Sequence, residues 1–132
     1  MPDSLRPMVR FLSDEWIAAL DEAAQAATVA PDLSLTVQQI VTDGESGEVR
    51  YHLVVGEGRL RVRPGDVAAP DVTLVQSRDV AAALSRGELN AQQALAAGRL
   101  KLRGDIGHLA RQGKALTALE DVFAAVRAGT TF

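Results

Sequence analysis

The most informative part of the chain is residues 70–105, which read PDVTLVQSRDVAAALSRGELNAQQALAAGRLKLRGD. Alternation of apolar and polar residues predicts short strands at its two ends, over residues 72–75 and 100–103. Between the strands, Ser77 is placed to cap a helix over residues 78–86, and Gly87 suits the turn that ends it. Asn90 and Gln93 have capping-box spacing, which predicts a second short helix that ends at Gly98.

Upstream of this segment, the pattern predicts one helix followed by three strands. Ser13 is a suitable N-cap, and apolar residues recur at helical spacing from Trp16 to Ala27. Period-two alternation predicts strands within residues 33–38, 49–55 and 60–62, with a turn over residues 42–47 and a tight hairpin at Gly56-Glu57-Gly58. These strands form an antiparallel meander with one apolar and one polar face.

Downstream, one long helix is predicted to begin near Asp105, with Gly107 and Gly113 inside it. Its apolar stripe comprises Ile106, Leu109, Leu116, Leu119, Phe123 and Val126. Helices before and after the strands predict an α+β fold, in which a five-stranded, largely antiparallel sheet is covered on one face by helices. Residues 1–132 are expected to form a single domain, since the length suits one domain and no internal repeat is visible.

Composition narrows the function classes. The absence of cysteine excludes disulfides, thiolate metal sites and a cysteine nucleophile. A net charge of −3 argues against nucleic acid as a partner, which needs a concentrated basic face. Cationic residues alternate with apolar residues in two of the predicted strands: Arg59, Arg61, Arg63, Arg99, Lys101 and Arg103. These cations either form a solvated sheet face or provide a patch that binds anionic lipid headgroups. With no signal peptide or spanning segment, cytoplasmic localisation is expected.

The usual signatures of catalysis are missing from the sequence. His52 and His108 are the only histidines, and neither belongs to a metal-ligand set. No serine lies in a Gly-x-Ser-x-Gly motif, and the acidic pairs are chain neighbours, which point in different directions on a helix. The expectation is therefore a protein that is not an enzyme and needs no cofactor or metal.

Four motifs in residues 70–105 carry a family resemblance. In order they are Pro70-Asp71-Val72-Thr73-Leu74, Ser77-Arg78-Asp79-Val80, Gly87-Glu88-Leu89-Asn90 and Gly98-Arg99-Leu100-Lys101-Leu102-Arg103-Gly104. This succession resembles the sterol carrier protein 2 family, closely from residue 70 to about 116 and more loosely over residues 13–62. Leu95 and Ala91 depart from it, since family members often have a bulky aromatic residue and a proline there. These departures leave the shape of any cavity open.

The resemblance implies a tunnel between sheet and helices that binds fatty acyl chains, acyl-CoA or other lipids without catalysis. Its expected lining residues are Trp16, Leu20, Leu84, Leu89, Ala94, Leu95, Leu109, Leu116, Leu119 and Phe123. For each of them ordinary core is the simpler interpretation, since folding requires an apolar stripe at helical spacing whether or not a ligand is bound. Two alternatives remain: a filled-core accessory or oligomerisation domain that acts with a partner enzyme, and a small-molecule enzyme that uses His108 or His52. Membrane-surface contact is expected to be transient at most, and an oligomer is compatible with the sequence.

Overall fold

A computed structural model describes residues 8–44 and 47–132. In chain order, the elements are β1 (Val9–Arg10), α1 (Asp14–Ala26), β2 (Leu35–Gly44), β3 (Gly47–Gly56), β4 (Arg59–Pro64), β5 (Val72–Ser77), α2 (Arg78–Arg86), α3 (Ala91–Ala96), β6 (Leu100–Gly104), α4 (Ile106–Arg111), α5 (Gly113–Arg127) and β7 (Thr130–Thr131). The predicted α+β fold is confirmed. No helix among the described residues is long and apolar enough to span a membrane.

The main sheet has five strands in the order β4-β3-β2-β5-β6. Strands β2, β3 and β4 form the predicted antiparallel meander, and β5 pairs antiparallel with β6. The pairing of β2 with β5 is parallel, with Val37 opposite Val72, so the sheet is mixed. The loop after β4 crosses to the far side of β2 before β5 begins. Gln38 ties this loop down, because its Oε1 accepts from the Val67 N–H at 2.9 Å.

The helix-facing side of the sheet carries the apolar alternation of the strands. Leu35, Val37, Leu53, Leu60 and Val62 are all at most 1% exposed on this face. Helix α1 lies along the outer edge of β4, where it covers backbone that would otherwise be an open sheet edge. Burial of this face against the helices supplies most of the driving force for folding.

Local capping chemistry behaves as the sequence predicts. The Ser13 and Ser77 side chains accept from the N–H groups of Trp16 and Val80. Asn90 and Gln93 form both hydrogen bonds of a capping box. Gly87 ends α2 in the left-handed conformation at φ 78°. Each of these features depends on residues only a few positions apart, which is why spacing alone predicted them.

The prediction of one long C-terminal helix is wrong. The helix is interrupted at Gln112, whose φ of −105° and ψ of 37° separate α4 from α5. The Gln112 Oε1 accepts the Ser34 N–H at 3.1 Å, so a distant loop holds this break in place. Ile106, expected on the apolar stripe, is 56% exposed because α4 turns it away from the core.

The sheet also differs from the prediction in its first hairpin and at the chain ends. Strand β2 continues to Gly44 through a bulge in which Asp43 has φ 60°, so the turn expected from residue 42 begins later. Residues 45–46 of that turn lie outside the described part. Strands β1 and β7 form a separate two-residue parallel pair that the sequence did not indicate.

Candidate functional site

Five of the expected lining residues lie in or against the main core. Trp16, Leu20, Leu109 and Leu119 are buried there, with Trp16 1% and Leu20 0% exposed, and the half-buried Phe123 packs against them. The Trp16 ring has edge contacts with Phe11 and Tyr51, at centroid distances of 4.9 and 5.6 Å. Helical spacing therefore identified residues that lie in the protein interior, and the contact of these residues with a ligand stays a prediction.

Three other expected residues belong to a second, smaller cluster. Ala94 is fully buried together with Val80 and Leu100, while Leu84 and Leu89 pack against them and remain half-buried. Leu95 is 38% exposed, on the solvent side of α3. The side chain of Leu116 lies outside the described part of the structure. Most of the expected lining residues that the structure describes are thus divided between two clusters, and their contact with a ligand stays a prediction.

A half-buried apolar surface lies between these clusters. Leu74 on β5 packs against both of them, and Leu102 lies opposite Leu74 on β6. Both side chains face the helices and yet stay partly exposed, as do Leu84 and Leu89. We call these four residues, Leu74, Leu84, Leu89 and Leu102, the apolar seam. The helix layer is therefore less completely closed over β5 and β6 than over β2, β3 and β4.

Two polar side chains lie on the otherwise apolar face of the sheet. Gln39 and Gln76 are each 6% exposed, and Gln76 Nε2 donates to Gln39 Oε1 at 2.6 Å. Gln39 is also the cross-strand neighbour of Tyr51. The sequence analysis missed this pair, although a signal was present. Gln39 alternates in phase with Leu35, Val37 and Val41, which places it on the buried face.

Asp21 is the one buried acidic residue of the described chain, at 8% exposure. Its carboxylate accepts from the Val62 N–H at 2.9 Å, from Arg61 Nε at 3.2 Å and from Arg63. Burial opposes ionisation, but the hydrogen bonds from Val62, Arg61 and Arg63 outweigh it and lower the pKa of Asp21. Two of the six cations considered for headgroup binding are thereby used to hold α1 against β4.

The other strand cations have different surroundings. Lys101 and Arg103 are exposed on the sheet face that points away from the helices. Arg59 is exposed at the β3–β4 hairpin, where Glu57 and Gly58 both have positive φ. These positions suit a solvated face, and binding of anionic headgroups there remains a prediction.

The histidines support the fold in the contacts observed. His108 Nε2 lies 2.6 Å from the Ser34 carbonyl oxygen and 3.8 Å from Asp71 Oδ2. Since a carbonyl only accepts, Nε2 carries the proton in this contact. His52 Nδ1 donates in the same way to the Gly65 carbonyl at 3.0 Å. Within residues 8–44 and 47–132, no group of three or more His, Asp or Glu side chains could hold a metal ion.

Two recesses open on the surface beside the end of α1. One, of about 220 Å³, lies between α1 and β4 and includes Gln25, Arg59 and Leu60. The other, of about 340 Å³, lies between α1 and α5 and includes Lys114, Thr117 and Asp121. Ala27 borders both. Neither recess is lined by any of the expected binding residues.

Comparison with known proteins adds the family. The fold is shared with a conserved hypothetical protein of Thermus thermophilus described as a candidate sterol carrier protein, at a TM-score of 0.70 and 19% identity over 92% of each chain. A sterol carrier protein 2 matches at a TM-score of 0.70 and 21% identity, over 86% of this chain and 96% of that one. Palmitated SCP2L2 from Aedes aegypti matches at a TM-score of 0.57 and 23% identity, over 80% of this chain and 92% of that one. No curated protein matches the sequence. A family model described as the SCP-2 sterol transfer family matches residues 15–117. The chain therefore belongs to the SCP-2 sterol transfer family.

Proposed function

We propose that this protein binds and carries an apolar ligand, a fatty acyl chain, an acyl-CoA or another lipid, between the sheet and its covering helices, and catalyses no reaction. Membership of a family named for sterol transfer supports binding of lipids as a class. The histidine contacts add no catalytic arrangement, since His108 and His52 both donate to backbone carbonyls.

The apolar seam is the observation that carries the proposal. Leu74 and Leu102 face the helices but are not fully buried, whereas Leu35, Val37, Leu53, Leu60 and Val62 on the same face are at most 1% exposed. Covering these side chains with an alkyl chain would remove apolar area from water without removing any native hydrogen bond. Expected lining residues lie on both sides of Leu74, with Leu84, Leu89 and Ala94 in one cluster and Leu109 and Leu119 in the other.

Small side chains on the helices allow the layers to part at modest cost. Ala81, Ala82, Ala94 and Ala115 are all at most 8% exposed, and each makes few contacts compared with a leucine. Separation of the layers along such residues forfeits less packing than separation along bulky ones. The break at Gln112 also allows α4 and α5 to change their orientation relative to each other.

The energy of such binding is sufficient for a carrier. Burial of ten methylenes contributes roughly 8 kcal/mol at about 0.8 kcal/mol each. Association costs on the order of 4 kcal/mol or more. The remainder, at most about 4 kcal/mol, corresponds to a millimolar dissociation constant, and each further methylene of a longer chain tightens binding by about 0.8 kcal/mol. Binding of this strength permits release as well as uptake. Palmitate, the molecule in the name of the Aedes aegypti relative, is a suitable first probe.

A filled-core accessory or oligomerisation domain is the second candidate. It is favoured by the dense main core, in which Trp16, Leu20, Leu35 and Leu53 are at most 1% exposed. It is also favoured by the absence of expected lining residues from both surface recesses. Such a domain would bind no lipid and would instead associate with a partner protein.

A matched pair of variants tests the lipid proposal. Leu102→Lys places a cation in the half-buried seam, and Ile106→Lys places the same charge at a side chain that is 56% exposed. Displacement of a fluorescent fatty acid is measured for both variants and for the unaltered protein. We expect Leu102→Lys to weaken binding at least about tenfold, because a buried unpaired ammonium is costly. Ile106→Lys should stay within about twofold.

Three results would count against the proposal. Equal weakening by both variants would make the effect one of charge alone. Unchanged binding in a folded Leu102→Lys protein would place the ligand away from the seam. No saturable binding by the unaltered folded protein would favour the filled-core candidate.

A further inference from the structure

Trp16 contains a buried hydrogen-bond donor without a partner. The residue is 1% exposed, and its indole Nε1 has no acceptor among the described residues. A buried N–H left unsatisfied carries a free-energy cost, and such groups are rare enough in folded proteins to require a specific cause. A ligand atom that accepted this hydrogen bond would remove the cost.

The sheet residue that contacts the Trp16 ring, Tyr51, leads to two further polar side chains on the same face. Its ring meets Tyr51 edge-on at 5.6 Å, Tyr51 lies opposite Gln39, and Gln39 is bonded to Gln76. Gln39 and Gln76 are 6% exposed and Tyr51 is 3% exposed, all on the helix-facing side. We call Trp16, Tyr51, Gln39 and Gln76 the internal polar cluster. It occupies the middle of a face that is otherwise apolar.

Donors predominate in this cluster. The two amides share one N–H···O bond, which leaves one NH2 group and one carbonyl whichever way the pair is oriented. Burial raises the pKa of Tyr51, so its phenol stays protonated and can donate. Together with the indole N–H, the cluster suits an acceptor atom better than a donor.

The charge of that acceptor is constrained by what surrounds the cluster. Asp21 is the one charged side chain that is buried in the described chain, and its partners Arg61 and Arg63 are occupied at the β4 edge. No buried cation is therefore present among the described residues to offset a carboxylate, whose transfer into such surroundings is strongly unfavourable. A neutral oxygen accepts a hydrogen bond and carries no charge that a buried cation would have to offset.

We propose that the internal polar cluster binds a neutral oxygen acceptor of a lipid ligand, a hydroxyl or an ester or thioester carbonyl, with Trp16 Nε1 as its principal donor. This proposal rests on the proposed function and narrows it from apolar molecules in general to lipids whose uncharged oxygen lies inside the protein.

The experiment compares 1-decanol with n-decane, each delivered from a cyclodextrin complex, on the full chain and on Trp16→Phe. Dissociation constants are obtained by displacement of anilinonaphthalene sulfonate. Loss of one neutral hydrogen bond should weaken decanol binding about five- to tenfold in Trp16→Phe. Decane, which lacks an oxygen, should change by less than about twofold. Gln39→Met, which removes the amide at similar volume, should show the same selectivity for decanol and provides a second variant if Trp16→Phe does not fold.

A spectroscopic signature distinguishes hydrogen bonding from packing. Trp16 is the only tryptophan of the chain, so 15N-labelled protein gives one indole signal. Decanol should move its proton downfield and decane should not. Equal weakening of both ligands by Trp16→Phe would overturn the inference while leaving lipid binding intact. A long-lived buried water in contact with the indole proton of ligand-free protein would also overturn it. No displacement by either ligand from folded wild type would overturn the proposed function and this inference together.

Discussion

Replacement of the buried Asp21 should destabilise the protein more than replacement of any exposed carboxylate. Four donors converge on its carboxylate: the Val62 N–H, the guanidinium groups of Arg61 and Arg63, and Gln25 Nε2 at 3.3 Å. The arginine side chains are 39% and 48% exposed, so solvent screens each ion pair to about 1 kcal/mol or less. The Val62 N–H is buried, and leaving it without an acceptor costs about 1–3 kcal/mol.

These contributions predict that two substitutions of Asp21 lower the free energy of unfolding by different amounts. Asp21→Asn keeps an acceptor for Val62 and loses the charge, which should lower the free energy of unfolding by about 1–2 kcal/mol. Asp21→Ala loses the acceptor as well and should cost about 3 kcal/mol or more. Glu22→Gln, at the exposed next position on α1, should stay within about 0.5 kcal/mol.

Urea unfolding followed through Trp16 fluorescence measures all three variants. The pH dependence gives a second readout, because the pKa of Asp21 is lowered below its ordinary value of 3.8. A carboxyl with a depressed folded pKa contributes its full stabilisation above pH 3.8 and loses it as the pH falls through the folded pKa. Asp21→Asn should therefore flatten the loss of stability in that acidic range. If Asp21→Ala behaved like Glu22→Gln, the reasoning about the α1–β4 contact would be refuted.

Four further substitutions have clear expected effects on urea midpoints. Asn90→Ala removes the side-chain oxygen that accepts the Gln93 N–H at the start of α3 and should cost about 1 kcal/mol; no change would mean that the cap is not formed in solution. Gly104→Ala should lower the free energy of unfolding by about 2 kcal/mol or more, since φ is 106° and a Cβ would clash with the Asp71 carbonyl. Gly113→Ala, in open space at the start of α5, should raise the free energy of unfolding by about 0.5–1 kcal/mol. Equal effects of the two variants would contradict the backbone geometry. Leu109→Ala should cost about 2–4 kcal/mol, and a cost below about 0.5 kcal/mol would place Leu109 outside the core.

What the sequence predicted correctly depends on neighbouring residues. The Ser77 cap, the Asn90–Gln93 box and the left-handed Gly87 each follow from chemistry within four positions. The hairpin after Gly56 is of the same kind, because two consecutive positive φ values suit a two-residue turn. These four signals follow one another within residues 56–98, and together they determine the order of the strands and helices in that part of the chain.

What the sequence did not predict depends on distant residues. The interruption at Gln112 is held by Ser34, 78 positions away, and no local signal marks it. The pairing of β1 with β7 joins the two ends of the described chain through only two residues in each strand. Parallel pairing of β2 with β5 likewise depends on where the crossing loop docks.

The candidate site shows the same division between local and tertiary information. Helical spacing identified the apolar stripe residues Leu109 and Leu119, which are buried. It could not show that Leu84 and Leu89 belong to a separate cluster, because cluster membership depends on how α2 and α3 dock on β5 and β6. Spacing also could not show that Arg61 and Arg63 are occupied by Asp21, 40 and 42 positions earlier.

Mass spectrometry of organic extracts from gently purified, folded protein is the decisive measurement for lipid carriage. We expect a lipid at about one molecule per chain that is lost from Leu102→Lys and retained by Ile106→Lys. Extracts without any lipid, from protein that also fails to bind decanol and palmitate when these are supplied, would contradict the carrier function.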